Sequence, residues 1–231
     1  AVEAFIECSL LEKNEQQKLV EYSNALFTAN YSEKLSVAEK YSLHLKYNDF
    51  FSDIKQFEHN FKVNKKKIRI GYISPDFRQH AVSYFSYTML ANFNRNVFEV
   101  FCYAKGLADD ITFKLKAVVD KWQNVDNLEY EDIAKLIYVD NIDILVDLAG
   151  HTAHSLLPVL AYKPAPLQIS GIGYFNTTGL KTVDYFLTDI NCDPIGKNDE
   201  FFSEQLLSLE HSHFCYSPLI DMGAVSTLPA V

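Results

Sequence analysis

The sequence predicts an α/β protein: a Rossmann-like, mostly parallel sheet with flanking helices, preceded by a short all-helical segment. Three observations carry that expectation. Apolar, β-rich runs recur from Lys67 onward; amphipathic helical patterns separate most of them; and the residues before Lys67 show only the helical period. At 231 residues and 48% hydrophobic side chains, the chain suits one large domain with a helical appendage and can bury a sizeable core.

The helical segment comes first. Phe5, Ile6, Leu10, Leu19, Tyr22, Leu26 and Phe27 recur at spacings near three and four, which suits an amphipathic helix pair. Ser36 stands three residues before Glu39, a capping-box spacing, and the helix behind it is expected to bury Tyr41, Leu45 and Tyr47. Two or three helices ahead of a new domain fit the end of a helical solenoid. The strands follow as "KIRIGYI", "FEVFCYA", "IDILVDLAG", "LQISGIGY" and "DYFLTD". Helical patterns lie between them in "SYFSYTMLANF", "ITFKLKAVVDKW" and "YEDIAKLIYVDN". The expected organisation is a helical segment over residues 1–62, a Rossmann-like lobe over 63–221 and a tail over 222–231.

In open parallel sheets, ligands sit at the carboxyl ends of the strands. That rule selects three loops: "SPDFRQHAVS", "LAGHTAHS" and "GIGYFNTTGL". Asp76 and His80 lie in the first. Each has two readings: Asp76 as a helix cap or as a carboxylate facing the cleft, His80 as a capping or core-edge ring or as a group that takes a proton or holds an anionic phosphate. His151 and His154 stand three apart, a spacing that would put them on one helical face, but no third ligand with sensible spacing follows, so no metal is expected; His151 is placed in the loop near the cleft and His154 at the start of the next helix. "NTTG" reads as a hydroxyl-rich turn or as donors to a sugar or phosphate. Gly171, Gly173 and Gly179 permit tight turns and close backbone approach to a ligand. They do not form the G-x-G-x-x-G fingerprint, so a dinucleotide cofactor is poorly supported. Asp147, ending a buried strand, is expected to bond loop amides, and Trp122 is expected in the core.

The bulk numbers exclude several classes. A net charge of −9 argues against a general nucleic-acid binder. The one basic run, "KVNKKKIRI", reads as a solvated lead-in to a buried strand. No apolar stretch approaches the length of a membrane span, and the opening "AVEAFIECSLLEKNEQQ" carries charges too early for a secretory leader. Cys8, Cys102, Cys192 and Cys215 are scattered, which predicts buried thiols in a reducing cytoplasm.

Taken together, "SPDFRQHAVSYF", "DLAGHTAHSLLPVLAYKPAPLQISGIGYFNTTGL", "VDYFLTD" and "FSEQLLSLEHSHFCYSP" resemble the amino-terminal half of the catalytic region in the O-GlcNAc transferase family, including its SPINDLY-like members. The resemblance covers about Lys67 to Pro218 and extends more weakly into "NYSEKLSVAEKYSLHLKY", the segment that joins the family's tetratricopeptide repeats to its catalytic part. It implies a two-lobed, inverting glycosyltransferase that moves a sugar, N-acetylglucosamine first, from a nucleotide-sugar donor such as UDP-GlcNAc to Ser or Thr hydroxyls of intracellular proteins. No metal or other cofactor is implied, and neither nucleic acid nor membrane is a partner. His80 and Asp76 match the family's D-F-x-x-H segment and are the implied catalytic residues. Gln79, His151, Thr152, Ile172, Gly173, Tyr174, Thr177 and Thr178 are the implied substrate-binding residues, several of them on the loop beside the donor sugar. Gln79, Val82, Tyr84, Phe175 and Asn176 depart from common members, and SPINDLY-like relatives use fucose as donor sugar.

The second lobe, with most of the uridine and diphosphate contacts, is not in this chain, so the isolated lobe is expected to be inactive. The competing expectation is a non-catalytic module that binds peptide or protein through its helices and cleft. A histidine-based hydrolase is weaker, since no G-x-S-x-G elbow is present.

Overall fold

The computed structural model describes residues 1–59, 66–220 and 223. The boundary expected between residues 62 and 63, the "KVNK" of the basic run, and all of the expected tail but Gly223 lie outside the described residues. Lys66 and Lys67 are exposed ahead of the first strand.

Three helices open the chain: α1 (Val2–Leu11), α2 (Glu15–Asn30) and α3 (Val37–Tyr47), the last continuing into a 3-10 turn at Asn48–Phe51. Their starts are written in the sequence. Asn14 accepts the Gln17 N–H at 3.0 Å, and Ser36 and Glu39 form the expected capping box, each side chain accepting the other's backbone N–H. The buried side of α2 is Tyr22, Ala25, Leu26 and Ala29, whereas Leu10 of α1 is exposed. On α3 the inward residues are His44 and Tyr47; Leu45, expected inside, points out. A ring nitrogen on the inner face finds a polar partner there, which leucine could not use.

Seven strands follow: β1 (Ile68–Ser74), β2 (Phe98–Ala104), β3 (Lys121–Asn124), β4 (Ile144–Asp147), β5 (Leu167–Gly171), β6 (Tyr185–Asp189) and β7 (Gln205–Leu209). They form one all-parallel sheet in the order β3-β2-β1-β4-β5-β6-β7. Helix α4 (Ala81–Ala91) joins β1 to β2, α5 (Asp110–Lys116) joins β2 to β3, and α6 (Tyr130–Val139) carries the chain from β3 back to β4. The "ITFKLKAVVDKW" helix is thus shorter than expected, and its last residues start β3. β7 was not among the expected strands. Both are edge strands with a polar or alternating pattern.

Alternation with period two fills both faces. Ile73, Phe101, Tyr103 and Leu145 point to one core, with α6, the 3-10 segment Leu157–Tyr162, and Tyr22, Leu26 and Tyr47 of the opening helices. Tyr72, Val100, Cys102 and Val146 point to the other, with α4 and α5. The links from β4 to β5 and from β5 to β6 contain no α-helix, and α2 and α3 cover the sheet where such helices would lie. The helical segment and the lobe therefore share one core. No described helix is long and apolar enough to cross a membrane. All four cysteines are free, but only Cys102 is buried; Cys8, Cys192 and Cys215 are exposed, because they sit on an outer helix face and on loops instead of in strands.

The seam between α3 and the lobe is close. Gly179 has φ +74°, and a Cβ there would overlap the His44 carbonyl. Gly179→Ala is expected to cost more than about 2 kcal/mol in denaturant unfolding, from left-handed strain plus the forced separation of α3. Gly196→Ala, at φ +76° with open space around it, is expected to cost about 1 kcal/mol, the strain alone. Equal costs at the two sites would mean that the seam yields.

Candidate active site

Strand order reverses beside β1: the chain winds outward through β2 and β3, then returns to β4 on the other side. The carboxyl ends of β1 and β4 stay paired, but the connections leaving them run to opposite faces of the sheet, and the two loops bound a crevice. The first loop is held by its own short bonds. Ser74 Oγ accepts the Asp76 N–H at 3.0 Å, and the Asp76 carbonyl accepts the Arg78 N–H and the Ser83 hydroxyl, each at 2.8 Å. Phe77 plugs into the core against Trp122, ring centroids 5.5 Å apart. The Thr112 hydroxyl donates to the Phe77 carbonyl, and Asp109 accepts the Gln79 N–H, so the start of α5 braces the turn.

This frame sets Asp76 behind His80. The Asp76 carboxylate is only 7% exposed; its Oδ1 accepts from Arg78 Nη2 at 3.2 Å, and its Oδ2 lies 3.7 Å from His80 Nδ1. The His80 side chain is 39% exposed and caps α4, with Nδ1 accepting the Val82 N–H at 3.3 Å. The cap is thus His80, not Asp76, and capping does not withdraw it from the crevice. Gln79 is exposed beside it. Arg78, half-exposed and in the same loop, went unremarked in the sequence because a charged residue in a loop carries no signal of its own.

The second wall comes from β4 and β5. Buried Asp147 accepts the N–H groups of Ala149 and Gly150 and the Ser170 hydroxyl, as expected of a strand-end carboxylate; burial still raises its pKa above the ordinary range. Thr152 donates its hydroxyl to the Ala149 carbonyl at 2.8 Å. After β5 the chain makes a γ-turn: Gly173 N–H bonds the Gly171 carbonyl at 3.0 Å around Ile172, which has φ +73°. A β-branched residue there is strained, and such strain gathers at working sites. A Cβ on Gly173 would overlap the Leu148 carbonyl and sit 3.2 Å from Val82. The loops after β4 and β5 thus meet the first turn of α4, bringing Asp76, His80, Ile172 and Gly173 to one place.

His151, Tyr174, Thr177 and Thr178 lie elsewhere, in the seam with the opening helices. His151 Nε2 pairs with the Thr178 carbonyl at 2.8 Å and Nδ1 with Ser23 Oγ at 3.1 Å. The Tyr174 hydroxyl bonds His44 Nε2 at 2.7 Å and accepts from Asn30 Nδ2 at 2.8 Å. Thr177 Oγ1 donates to Glu204 at 2.6 Å, and Thr178 gives Glu204 both its N–H, at 2.8 Å, and its hydroxyl. These hydroxyls are occupied within the chain. His154 is exposed at φ +61°, whereas His151 is buried, so the two do not share a helical face. Sequence reading missed His44 and Glu204, which gave no motif and are explained only by what they meet across more than 25 residues.

A sequence profile described as "Glycosyl transferase family 41" matches residues 9–218. The chain belongs to this family. Family 41 relatives include the rice (Oryza sativa subsp. japonica) protein named "Probable UDP-N-acetylglucosamine--peptide N-acetylglucosaminyltransferase SPINDLY", 40% identical over 177 residues, which are 74% of this chain and 19% of the relative. The barley (Hordeum vulgare) protein of the same name is 36% identical over 216 residues, 90% of this chain and 23% of the relative. Among solved structures, a mutant form of the Thermobaculum terrenum O-GlcNAc transferase superposes with a TM-score of 0.80 at 30% identity, covering 85% of this chain and 38% of that one. The chain spans about a fifth of the length of these plant relatives.

The seam's two histidines are held neutral. Burial lowers His44 from 6.5 to about 4, and burial together with the nearby His44 ring lowers His151 to about 3. The unfolded chain takes up protons near pH 6.5 where the folded chain does not, so this part of the stability is complete above 6.5 and is lost as pH falls toward 4. The unfolding midpoint is expected to hold between pH 8 and 7 and to drop between 6.5 and 5, while NMR shows both rings still neutral at pH 5. Titration of either ring near pH 6.5 would contradict the burial.

Proposed function

We propose that this chain forms one wall of the active site of a protein O-glycosyltransferase, which moves N-acetylglucosamine from a nucleotide-sugar donor to a serine or threonine hydroxyl. The observation that carries the reading is the Asp76–His80 pair at the sheet's switch point, backed by family membership. A second lobe completes the donor site, and α1 to α3 continue a tetratricopeptide array that delivers the acceptor.

In this reading the acceptor oxygen attacks the anomeric carbon from one face while the bond to the diphosphate breaks on the other, inverting the centre. Two charges then need handling: the proton leaving the hydroxyl and the negative charge gathering on the diphosphate. Asp76 is too enclosed to meet substrate, so His80 is the group that reaches it. The ring has two states. When Nδ1 accepts from Val82 N–H, as here, the ring proton sits on Nε2 and donates to an oxygen in the cleft. When the ring turns toward Asp76 Oδ2, now 3.7 Å away, Nδ1 carries the proton and Nε2 has a lone pair that accepts the acceptor's proton. Arg78 and the positive end of the α4 dipole favour an anionic leaving group on this side. Ile172 and Gly173 shape the opposite side.

The test uses the intact protein with labelled UDP-N-acetylglucosamine, GDP-fucose in parallel, and a protein acceptor. His80→Ala is expected to lower kcat by about 10²- to 10⁴-fold. Asp76→Asn, which keeps the shape but removes the charge that favours the Nδ1–H state, is expected to lower kcat less and leave the donor KM near its starting value. Full transfer in both variants would end the assignment, and transfer from GDP-fucose alone would replace the donor sugar.

A further inference from the structure

The end of β6 holds a second cluster that sugar transfer does not use. Asp189 is the last residue of that strand, and its carboxylate gathers two separate pieces of chain. Its Oδ1 accepts the N–H groups of Asn191 and Cys192, at 2.9 and 3.0 Å, folding the loop back over the strand. Its Oδ2 accepts the backbone N–H of His213 at 3.0 Å and faces His213 Nδ1 at 2.6 Å. One oxygen of Asp189, one ring nitrogen of His213 and the Cys192 sulfur lie within 4.8 Å of one another. Asp189 and the His213 side chain are almost wholly covered, while Cys192 is open to solvent. Two fixed ligand groups thus sit under a third that can be reached from outside.

We infer that Asp189, Cys192 and His213 form a binding site for a borderline-soft divalent cation, zinc first. The donor set decides the class. A carboxylate oxygen, an imidazole nitrogen and a thiolate sulfur together suit zinc, whereas magnesium and calcium take oxygen ligands. Charge agrees: a carboxylate and a thiolate balance a dication around a neutral ring. On binding, the Cys192 thiol proton goes to solvent, and the His213 ring proton moves from Nδ1 to Nε2 by exchange with water, so that the ring stays neutral and Nδ1 turns its lone pair to the cation. Ligands about 2.0–2.3 Å from zinc in tetrahedral array stand about 3.3–3.8 Å apart, so the 2.6 Å Asp189–His213 pair opens slightly and Cys192 closes in. Water holds the fourth position. The neighbouring Asp193 is engaged elsewhere, accepting from Thr188 Oγ1 and Asn198 Nδ2.

Bound metal would clasp the stretch after β7. Beyond His213 this stretch turns back along the sheet to α4: Phe214 packs on Phe85, Tyr216 on Tyr84, and the Ser217 N–H bonds the Tyr84 carbonyl at 2.8 Å. Leu219 then enters the α4–α5 core. Strand order puts the cluster three strands from β1, about 14 Å along the sheet edge, apart from His80.

The probe is cobalt(II), then zinc, added to the metal-free intact protein and to its variants. One cobalt per chain is expected, with a sulfur-to-cobalt charge-transfer band that zinc abolishes. Cys192→Ser removes the sulfur but leaves the Asp189–His213 bond and the fold in place; it is expected to lose the band and to weaken zinc binding at least about tenfold. His213→Gln should weaken binding likewise, while Cys8→Ser and Cys215→Ser keep the band. Zinc should raise the melting temperature of the parent protein but not of Cys192→Ser. No stoichiometric binding, or a band that survives Cys192→Ser, overturns the site; the first result would leave a metal-free Asp–His clasp. Neither result bears on the sugar-transfer reading.

Discussion

The rest of the structure depends on the seam between α2–α3 and the loop after β5. The sheet is parallel and must be covered on both faces. Its three connections after β4 lack an α-helix, and the opening helices supply missing cover. Their fit is polar as well as apolar. Tyr174 reaches both His44 and Asn30, and His151 reaches Ser23, so buried rings are paired instead of stranded. Gly179 lets the backbone of the lobe come up against α3. The same loop carries Ile172 and Gly173 on its other end. Fixing the seam therefore also fixes the turn that presses against Leu148 and the first turn of α4.

The crevice itself is built from a division of labour between burial and exposure. Asp76 is enclosed, tied through its backbone to Ser74 and Ser83 and through its carboxylate to Arg78. His80 stands outside it with one nitrogen directed inward and the other free of intrachain bonds among the described residues. Here the Val82 N–H holds the ring by Nδ1, and the Asp76 carboxylate stands behind it at 3.7 Å. The strained turn at Ile172 persists because its neighbours leave no room for relaxation: Gly173 is pressed against Leu148 and Val82.

Much of the fold was legible in the sequence because the central strands are apolar on both faces. "FEVFCYA" marks β2 to the residue, and β1, β4, β5 and β6 lie within their expected runs, give or take an end. The two missed strands are at the sheet's edges. Lys121–Asn124 has no apolar pattern and was absorbed into a helix, while Gln205–Leu209 is half solvated. The site was legible to the level of loops, because the switch-point rule picks them out from strand order. It was not legible to the level of side chains. "NTTG" and "GHTAH" look like ligand-binding sequence, yet their hydroxyls and the ring of His151 turn inward to Glu204, Ser23 and their own backbone. Periodicity shows which face of an element is apolar; it does not show which polar group across the fold awaits a partner.

The seam also orders events in time. α2 and α3 leave the ribosome well before the surface that receives them, which contains Leu180, Val183 and Tyr174; His44 and its partner Tyr174 are 130 residues apart. β1 similarly waits through more than 70 residues for β4 to close its second edge. Such distant pairings make folding slow and leave apolar surface uncovered in the interval. Made before the surface they dock on, α2 and α3 keep an apolar side open to a chaperone, or to a misplaced neighbour, while the lobe is being made.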